Sequence, residues 1–188
     1  MRRVMRKAFL LAVFTALAGK TAAAQAVRVG GLKPVPATPV SSLSISVAPS
    51  SVSFQLVSKG IAAGSSAVQI TTSWGGTLCL FTCTINVYGY FTSAGAALAG
   101  GSPVVDIPSS EVLGRVTTGI PTTYTAFTQS NPIGGAGASL KLFSQGFFLL
   151  SGNNSRTDAL DLEINLTNQP QLPAGSYSGT LFIQAQSL

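Results

Sequence analysis

The sequence predicts an all-β protein, and the strongest observations lie near its C-terminus. Residues 159–166 alternate between apolar and polar types, with Leu160, Leu162, Ile164 and Leu166 on one side. A stretch rich in turn-forming residues follows at 168–175, and the alternation resumes over residues 177–185. Two period-two segments with Pro and Gly between them predict two half-buried strands that pair antiparallel with each other.

Further short strands are predicted along the chain after residue 42. The candidates are residues 43–47, 52–56, 67–74, 84–91, 104–107, 112–117, 123–128, 140–143 and 147–150. Residues 110–113 could form a single helical turn. No helix of more than one turn is predicted after residue 42. Short strands with turn signals between them are typical of an immunoglobulin-like antiparallel β-sandwich. We expect a single such domain over residues 43–188, with the two terminal strands adjacent or nearly so. The predicted core residues are Leu160, Leu162, Ile164, Leu166, Tyr177, Leu181 and Ile183.

Residues 1–26 have the three parts of a secretory signal peptide. Basic residues crowd the first seven positions, an apolar run covers residues 8–19, and small residues follow. The apolar run is too short to span a bilayer of roughly 30 Å. Cleavage is predicted before Gln25 or before Val27, and an uncleaved N-terminal anchor is the alternative. We therefore expect a secreted, periplasmic or cell-surface protein with no membrane span after cleavage.

Removal of the signal peptide changes the charge of the protein. The full chain carries a net charge of +6, whereas a product that begins at Val27 keeps six basic and five acidic residues, a net of +1. Scattered basic residues of this number do not form a stripe that could follow a phosphate backbone, so nucleic acid is not an expected partner.

Residues 27–42 are predicted to form an extended tail. Pro34, Pro36 and Pro39 favour a polyproline-like conformation and cannot donate to a β-ladder. The strand that follows, with Leu43, Ile45 and Val47 at alternate positions, is a candidate for strand exchange with a neighbouring molecule. The alternative is that this segment is the first strand of its own domain, paired in cis.

The residue types needed for catalysis are sparse. The chain has no histidine, which removes the usual general base and the commonest metal ligand. Asp161 and Glu163 share a strand face about 7 Å apart, a separation that glycosidases use. The alternation of the strand explains both residues as its solvent-facing side. We therefore expect no enzyme activity, no cofactor and no metal site.

The only two cysteines, Cys79 and Cys83, lie close together in the sequence. In an exported protein the expected state is a disulfide, and closing so short a loop should stabilise the fold by about 2 kcal/mol. A redox pair or a two-thiolate metal site is the alternative. The spacing is not the C-x-x-C of thioredoxin-like proteins, and without His the metal site would be poor.

One strand carries a polar and aromatic row. Asn86, Tyr88 and Tyr90 fall on the same face of residues 85–91. Trp74 lies before this strand in the chain, on the other side of a predicted turn. An exposed row of this kind could stack on sugar rings. Cross-strand packing of tyrosines in the sheet explains the same pattern, so both readings stay open for these residues.

Two segments resemble secreted bacterial pilin-like domains of the spore-coat-U and chaperone–usher kind. Residues 172–185, L-P-A-G-S-Y-S-G-T-L-F-I-Q-A, are similar to the last hairpin of those domains, and residues 40–47 are similar to a donor strand. The close cysteine pair and the ending Gln186-Ser187-Leu188 differ from classical pilins. The resemblance implies an immunoglobulin fold and assembly by strand addition.

Together these observations predict a non-catalytic structural subunit of the cell surface, pilus-like, fimbria-like or coat-like. Its partners would be further copies of itself or neighbouring surface subunits, joined head-to-tail by β-strand addition. The alternative function is an extracellular carbohydrate-binding or adhesion module with a glycan as its ligand.

Overall fold

The computed structural model describes residues 24–29, 42–75, 82–148 and 153–188, and almost all of these lie in β-strands or tight turns. The strands are β1 (Ala24–Val29), β2 (Ser42–Ala48), β3 (Ser51–Gln55), β4 (Ile61–Ala63), β5 (Val68–Gly75), β6 (Thr82–Tyr90), β7 (Leu98–Gly100), β8 (Val105–Ile107), β9 (Val112–Val116), β10 (Thr125–Ala126), β11 (Ser139–Phe148), β12 (Asn154–Asn165) and β13 (Tyr177–Ser187). A 3-10 turn at Ser109–Glu111 lies where the sequence predicts a single helical turn. No described helix is long and apolar enough to cross a membrane.

The strands form two sheets. The first sheet has the order β11-β6-β13-β1-β3, with β7 paired to β13 and β8 to β7. The second has the order β10-β9-β12-β5-β2, with β4 paired to β12. Neighbouring strands are antiparallel throughout, except that β1 runs parallel to β13. The predicted fold class, an all-β sandwich of two sheets, is confirmed.

The core lies between the two sheets and takes side chains from both. All seven predicted core residues, from Leu160 to Ile183, are buried there. Phe127 shows how the layers fit together. A Cβ at Gly89 of the first sheet or at Gly114 of the second would lie 3.0 or 3.1 Å from the ring of Phe127. Two glycines therefore leave room for one aromatic ring, which also contacts Phe91 edge-on at 5.3 Å.

The prediction that the last two long strands pair with each other is wrong. β12 lies in the second sheet between β9 and β5, and β13 lies in the first sheet beside β6 and β1. The residues between them cross from one sheet to the other. Alternation reports only that one face of each strand is buried. The same alternation of apolar and polar residues occurs in a hairpin within one sheet and in two strands that face each other across a core.

Other differences concern strand boundaries. Residues 140–143 and 147–150 were predicted as two strands. Residues 140–143 and 147–148 lie in a single strand β11 with a register irregularity between Lys141 and Phe143, and residues 149–150 lie outside the described residues. Strands β1, β4 and β7 were not predicted. β1 includes three residues of the predicted signal peptide and three of the predicted tail. The sandwich thus takes in residues before position 43, while most of the tail lies outside the described residues.

Candidate functional site

The feature of this fold that bears on function is the placement of β1. β3 and β13 are not paired with each other, and β1 lies between them. On one side β1 is antiparallel to β3 over five residue pairs, from Ala24 opposite Gln55 to Arg28 opposite Ser51. On the other side it is parallel to β13, from Val27 beside Gly179 to Val29 beside Leu181. A strand of six residues thus fills a groove between two strands that lie far apart in the chain.

The walls of this groove are apolar where they face the core. Val52 and Phe54 of β3 are 0% and 1% exposed, and Leu181 of β13 is fully buried. Gly179 is also constrained, because a Cβ there would overlap the carbonyl oxygen of Ala97. The backbone of the loop before β7 therefore closes the core at this point. Any strand that enters the groove meets unpaired main-chain groups on both sides and apolar side chains beneath alternate positions.

The predicted donor strand is elsewhere. Leu43, Ile45 and Val47 lie in β2, at the edge of the second sheet, where all seven residues of the strand pair antiparallel with β5. The three side chains are half-buried and pack against the core of their own domain. In the structure this segment pairs within its own chain, and the strand that lies between β3 and β13 is β1.

The predicted sugar-binding residues do not form an exposed row. Asn86 and Tyr88 are only 4% and 2% exposed, on the strand β6 that lies between β11 and β13. Burial raises the pKa of Tyr88 above its ordinary value. Tyr90 is half-buried and stacks on Phe182, with 5.3 Å between ring centroids.

Trp74 is in the other sheet, away from these residues. It is buried, and its ring packs against Phe147 at 5.5 Å. Trp74 and Asn86 each carry a buried polar atom without a hydrogen-bond partner, Nε1 and Oδ1 respectively, and Gln186 opposite Asn86 carries a third, Oε1. Tyr90 is the only one of the four predicted residues with substantial exposure, and one half-buried ring does not make a sugar platform.

The acidic residues of β12 are held in ion pairs or face solvent. Asp161 accepts hydrogen bonds from Arg115, the shorter at 2.8 Å, on the outer face of the second sheet. This contact raises the pKa of Arg115, and burial raises the pKa of Tyr124, whose ring the guanidinium covers at 4.6 Å. Glu163 is half-buried beside them.

Cys83 is buried at the start of β6. No free cysteine is found among the described residues. Cys79, the predicted disulfide partner of Cys83, lies outside the described residues, so the disulfide stays a prediction. Across the parts of the chain that are described, no three or more side chains of His, Cys, Asp or Glu are grouped in a way that could hold a metal ion.

β1 is the strand in the groove that the sequence did not predict. Val27 and Val29 alternate with polar or small residues, which is a strand signal, but the segment overlaps the predicted cleavage region and was assigned to leader and tail.

Comparison with known families and curated proteins found no match. No family model matches the chain. No curated protein matches it either.

Proposed function

We propose that this protein is a non-catalytic, exported structural subunit of the cell surface that assembles by β-strand addition, with β1 as the donated strand. The observation that carries the proposal is that β1 lies between two strands that have no other pairing at that place. Taking β1 away would leave the facing edges of β3 and β13 open. Open edges of this kind pair readily with another extended chain.

The connection after β1 is long enough for exchange. Twelve residues, 30–41, separate Val29 from Ser42. An extended chain of that length reaches about 40 Å. A domain of this size has a radius of gyration of about 15 Å, so the connection can reach a groove on an adjacent molecule. The prolines in this segment favour extension over folding back.

The same contacts form whether β1 fills its own groove or that of a neighbour. No contact is gained or lost between self-pairing and exchange. The equilibrium between these two states therefore depends on protein concentration and on the connecting residues 30–41. A donated strand makes a head-to-tail contact, which grows into an open filament unless the rotation between subunits closes a ring. This outcome suits a pilus-like or coat-like subunit.

Cysteine crosslinking can distinguish exchange from self-pairing. Arg28 and Ser51 are directly opposite in the antiparallel β1–β3 pair, and such positions have the Cα separation that a disulfide needs. We expect a chain with Arg28→Cys and Ser51→Cys, oxidised at high concentration, to give a ladder of covalent oligomers on a non-reducing gel. Only intramolecular crosslinks at every concentration would contradict strand addition.

The matched control is the β2–β5 pair. Ser44 and Ser73 are directly opposite there, and we expect Ser44→Cys with Ser73→Cys to crosslink within one chain only. A ladder from this pair, and none from the β1–β3 pair, would return the donor role to the segment that contains Leu43, Ile45 and Val47.

The absence of catalysis is part of the proposal. Screening against glycoside, ester and peptide substrates should give no turnover. A reproducible activity that disappears in Asp161→Ala or Glu163→Ala would overturn it, and would mean that the carboxyls on the outer face of β12 act on a substrate.

A further inference from the structure

The second sheet ends on a strand that lacks the usual protections of a sheet edge. β2 is seven residues long, and among the described strands only β5 pairs with it. All seven positions pair in one register without a bulge. The strand contains no charged residue and no proline. Proteins commonly shield edge strands with charges, prolines, bulges or short length, because an open edge pairs readily with another extended chain.

The other sheet edges in the described part of the chain carry such protections. β10 has two residues, and β4 and β8 have three each. β11 carries Lys141 and a register irregularity beside it. The far side of β3 is occupied, because the carbonyl oxygen of Ser53 accepts a hydrogen bond from the N–H of Ser65 at 2.8 Å. Among the described strands, β2 is therefore the long, regular and uncharged edge.

The side chains of β2 that face the core are incompletely covered. Leu43, Ile45 and Val47 are half-buried. Thr72 and Ile70 of β5, which lie opposite the last two, are 1% and 2% exposed. Both strands line the same core, so the remaining exposure of β2 is on the side that faces away from β5. A further strand on that side would complete the burial of three aliphatic side chains.

The composition of this edge suits a second copy of the same strand. The antiparallel register in which all seven residues of two β2 strands pair places Ile45 opposite itself, on a two-fold axis. Leu43 then lies opposite Val47, and Ser44 lies opposite Ser46, so aliphatic side chains meet on the core face and hydroxyls meet on the outer face. β5 is also uncharged, so these strands bring no like charges together.

The outer face of the second sheet already shows how such hydroxyls pair. Thr71 of β5 lies between Ser46 of β2 and Thr157 of β12 in the strand register. The hydroxyls of Thr71 and Thr157 are hydrogen-bonded at 2.9 Å. The two-fold pairing would place Ser44 of the second copy beside Ser46, at the next position of this row. The row of hydroxyls would thus continue into the second copy through contacts of the same kind.

We propose that β2 is an interface between two copies of this chain, which pair antiparallel about a two-fold axis at Ile45 and join their second sheets into one. The contact uses the same surface on both copies, so it closes at a dimer. It does not involve β1, and it therefore stands apart from the head-to-tail contact of the proposed function. Where both contacts form, the two-fold pairs join neighbouring filaments side by side.

Crosslinking between singly substituted chains tests the register. Residues 44 and 46 of different copies lie directly opposite in the proposed pairing, whereas 44 and 44, or 46 and 46, are diagonal neighbours about 7–8 Å apart, too far for an unstrained disulfide. Ser44 and Ser46 are exposed, so both variants should fold. Oxidation of a mixture of Ser44→Cys and Ser46→Cys chains should give several times more covalent dimer than oxidation of either variant alone. The wild-type chain, with its own two cysteines, gives the background.

Charge on the edge tests the interface itself. A chain with Ser44→Lys and Ser46→Lys would bring two pairs of like charges directly opposite each other, so self-association through this edge, measured by sedimentation, should weaken at least about tenfold. Gln69→Lys with Ser155→Lys is the matched control. It adds the same charge at two exposed positions on β5 and β12, away from the edge, and should leave the dimer intact.

Three results would overturn the inference. One is an equal yield of covalent dimer from the mixture and from the single variants, which would exclude the two-fold register. Another is equal self-association of the two lysine variants. The third is a crosslink of Ser44→Cys chains with Arg28→Cys chains in place of the 44–46 crosslink, which would mean that β1 of a neighbour occupies this edge. Crosslinking of Arg28→Cys with Ser51→Cys tests the proposed function separately, since it reports only on β1 and β3.

Discussion

The sharpest test of the fold uses the two Arg–Asp pairs of β12, which differ mainly in burial. Asp158 points toward the core side of the strand, with its side chain 6% exposed. Arg156 donates to both of its carboxylate oxygens at 2.7 Å, and Thr118 Oγ1 donates to Oδ1 at 2.5 Å. Arg156 also donates to the carbonyl oxygen of Thr118 and covers the ring of Phe143 at 4.4 Å. The hydrogen bonds with Asp158 raise the pKa of Arg156.

Replacing Arg156 with Met removes the charge and keeps an unbranched side chain over Phe143. Asp158 would then be a buried carboxylate, and the hydroxyl of Thr118 would be its one remaining side-chain donor among the described residues. Breaking a buried pair from one side costs about 3–5 kcal/mol. Water reaches Arg156, whose side chain is 29% exposed, so we expect the lower end, about 3 kcal/mol. For a domain of this size that is a fall in Tm of roughly 6–12 °C.

Chemical denaturation followed by circular dichroism measures the effect, and Arg115→Met is the matched control. Arg115 of β9 pairs with Asp161, which lies on β12 as Asp158 does. The side chains of this pair are 38% and 26% exposed. Exposed pairs contribute little, so the control should move the unfolding midpoint far less. Equal losses from the two substitutions would refute the argument from burial. A double variant, Arg156→Met with Asp158→Leu, should recover most of the loss, because no uncompensated charge remains.

Three further predictions concern single positions. Ile164→Asp should unfold the domain, since an unpaired buried carboxylate costs several kcal/mol against a margin of roughly 5–15; a native circular dichroism spectrum would contradict this. Gly179→Ala should cost about 1–3 kcal/mol, measured by urea denaturation, because its Cβ would overlap the carbonyl oxygen of Ala97. Burial raises the pKa of Tyr177, whose hydroxyl donates to the carbonyl oxygen of Pro173 at 2.8 Å. The unfolded chain therefore loses this proton first, and stability should fall as pH rises above about 10. Tyr177→Phe should reduce that alkaline loss, and an unchanged pH profile would refute it.

Local pattern was enough to predict which residues are buried in the strands. Leu160, Leu162 and Ile164 alternate with polar residues, and alternation is a property of the strand itself, since successive side chains point to opposite faces. The lack of a long helix among the described residues and the short turn near Ser109 were predicted for the same reason. These features depend on neighbours a few residues away, which the sequence displays directly.

The partner of each strand was decided only by the tertiary structure. β12 and β13 are successive in the chain, yet they lie in different sheets, because the residues between them can cross the core as readily as they can turn within one sheet. Tyr88 has the pattern of a solvent-facing residue, yet it is buried in the tertiary structure. β1 has a weak strand pattern of its own, and it is a strand because β3 and β13 leave two open edges for it. Pairing, burial on the outer face and the groove all arise between residues far apart in the chain, where periodicity carries no information.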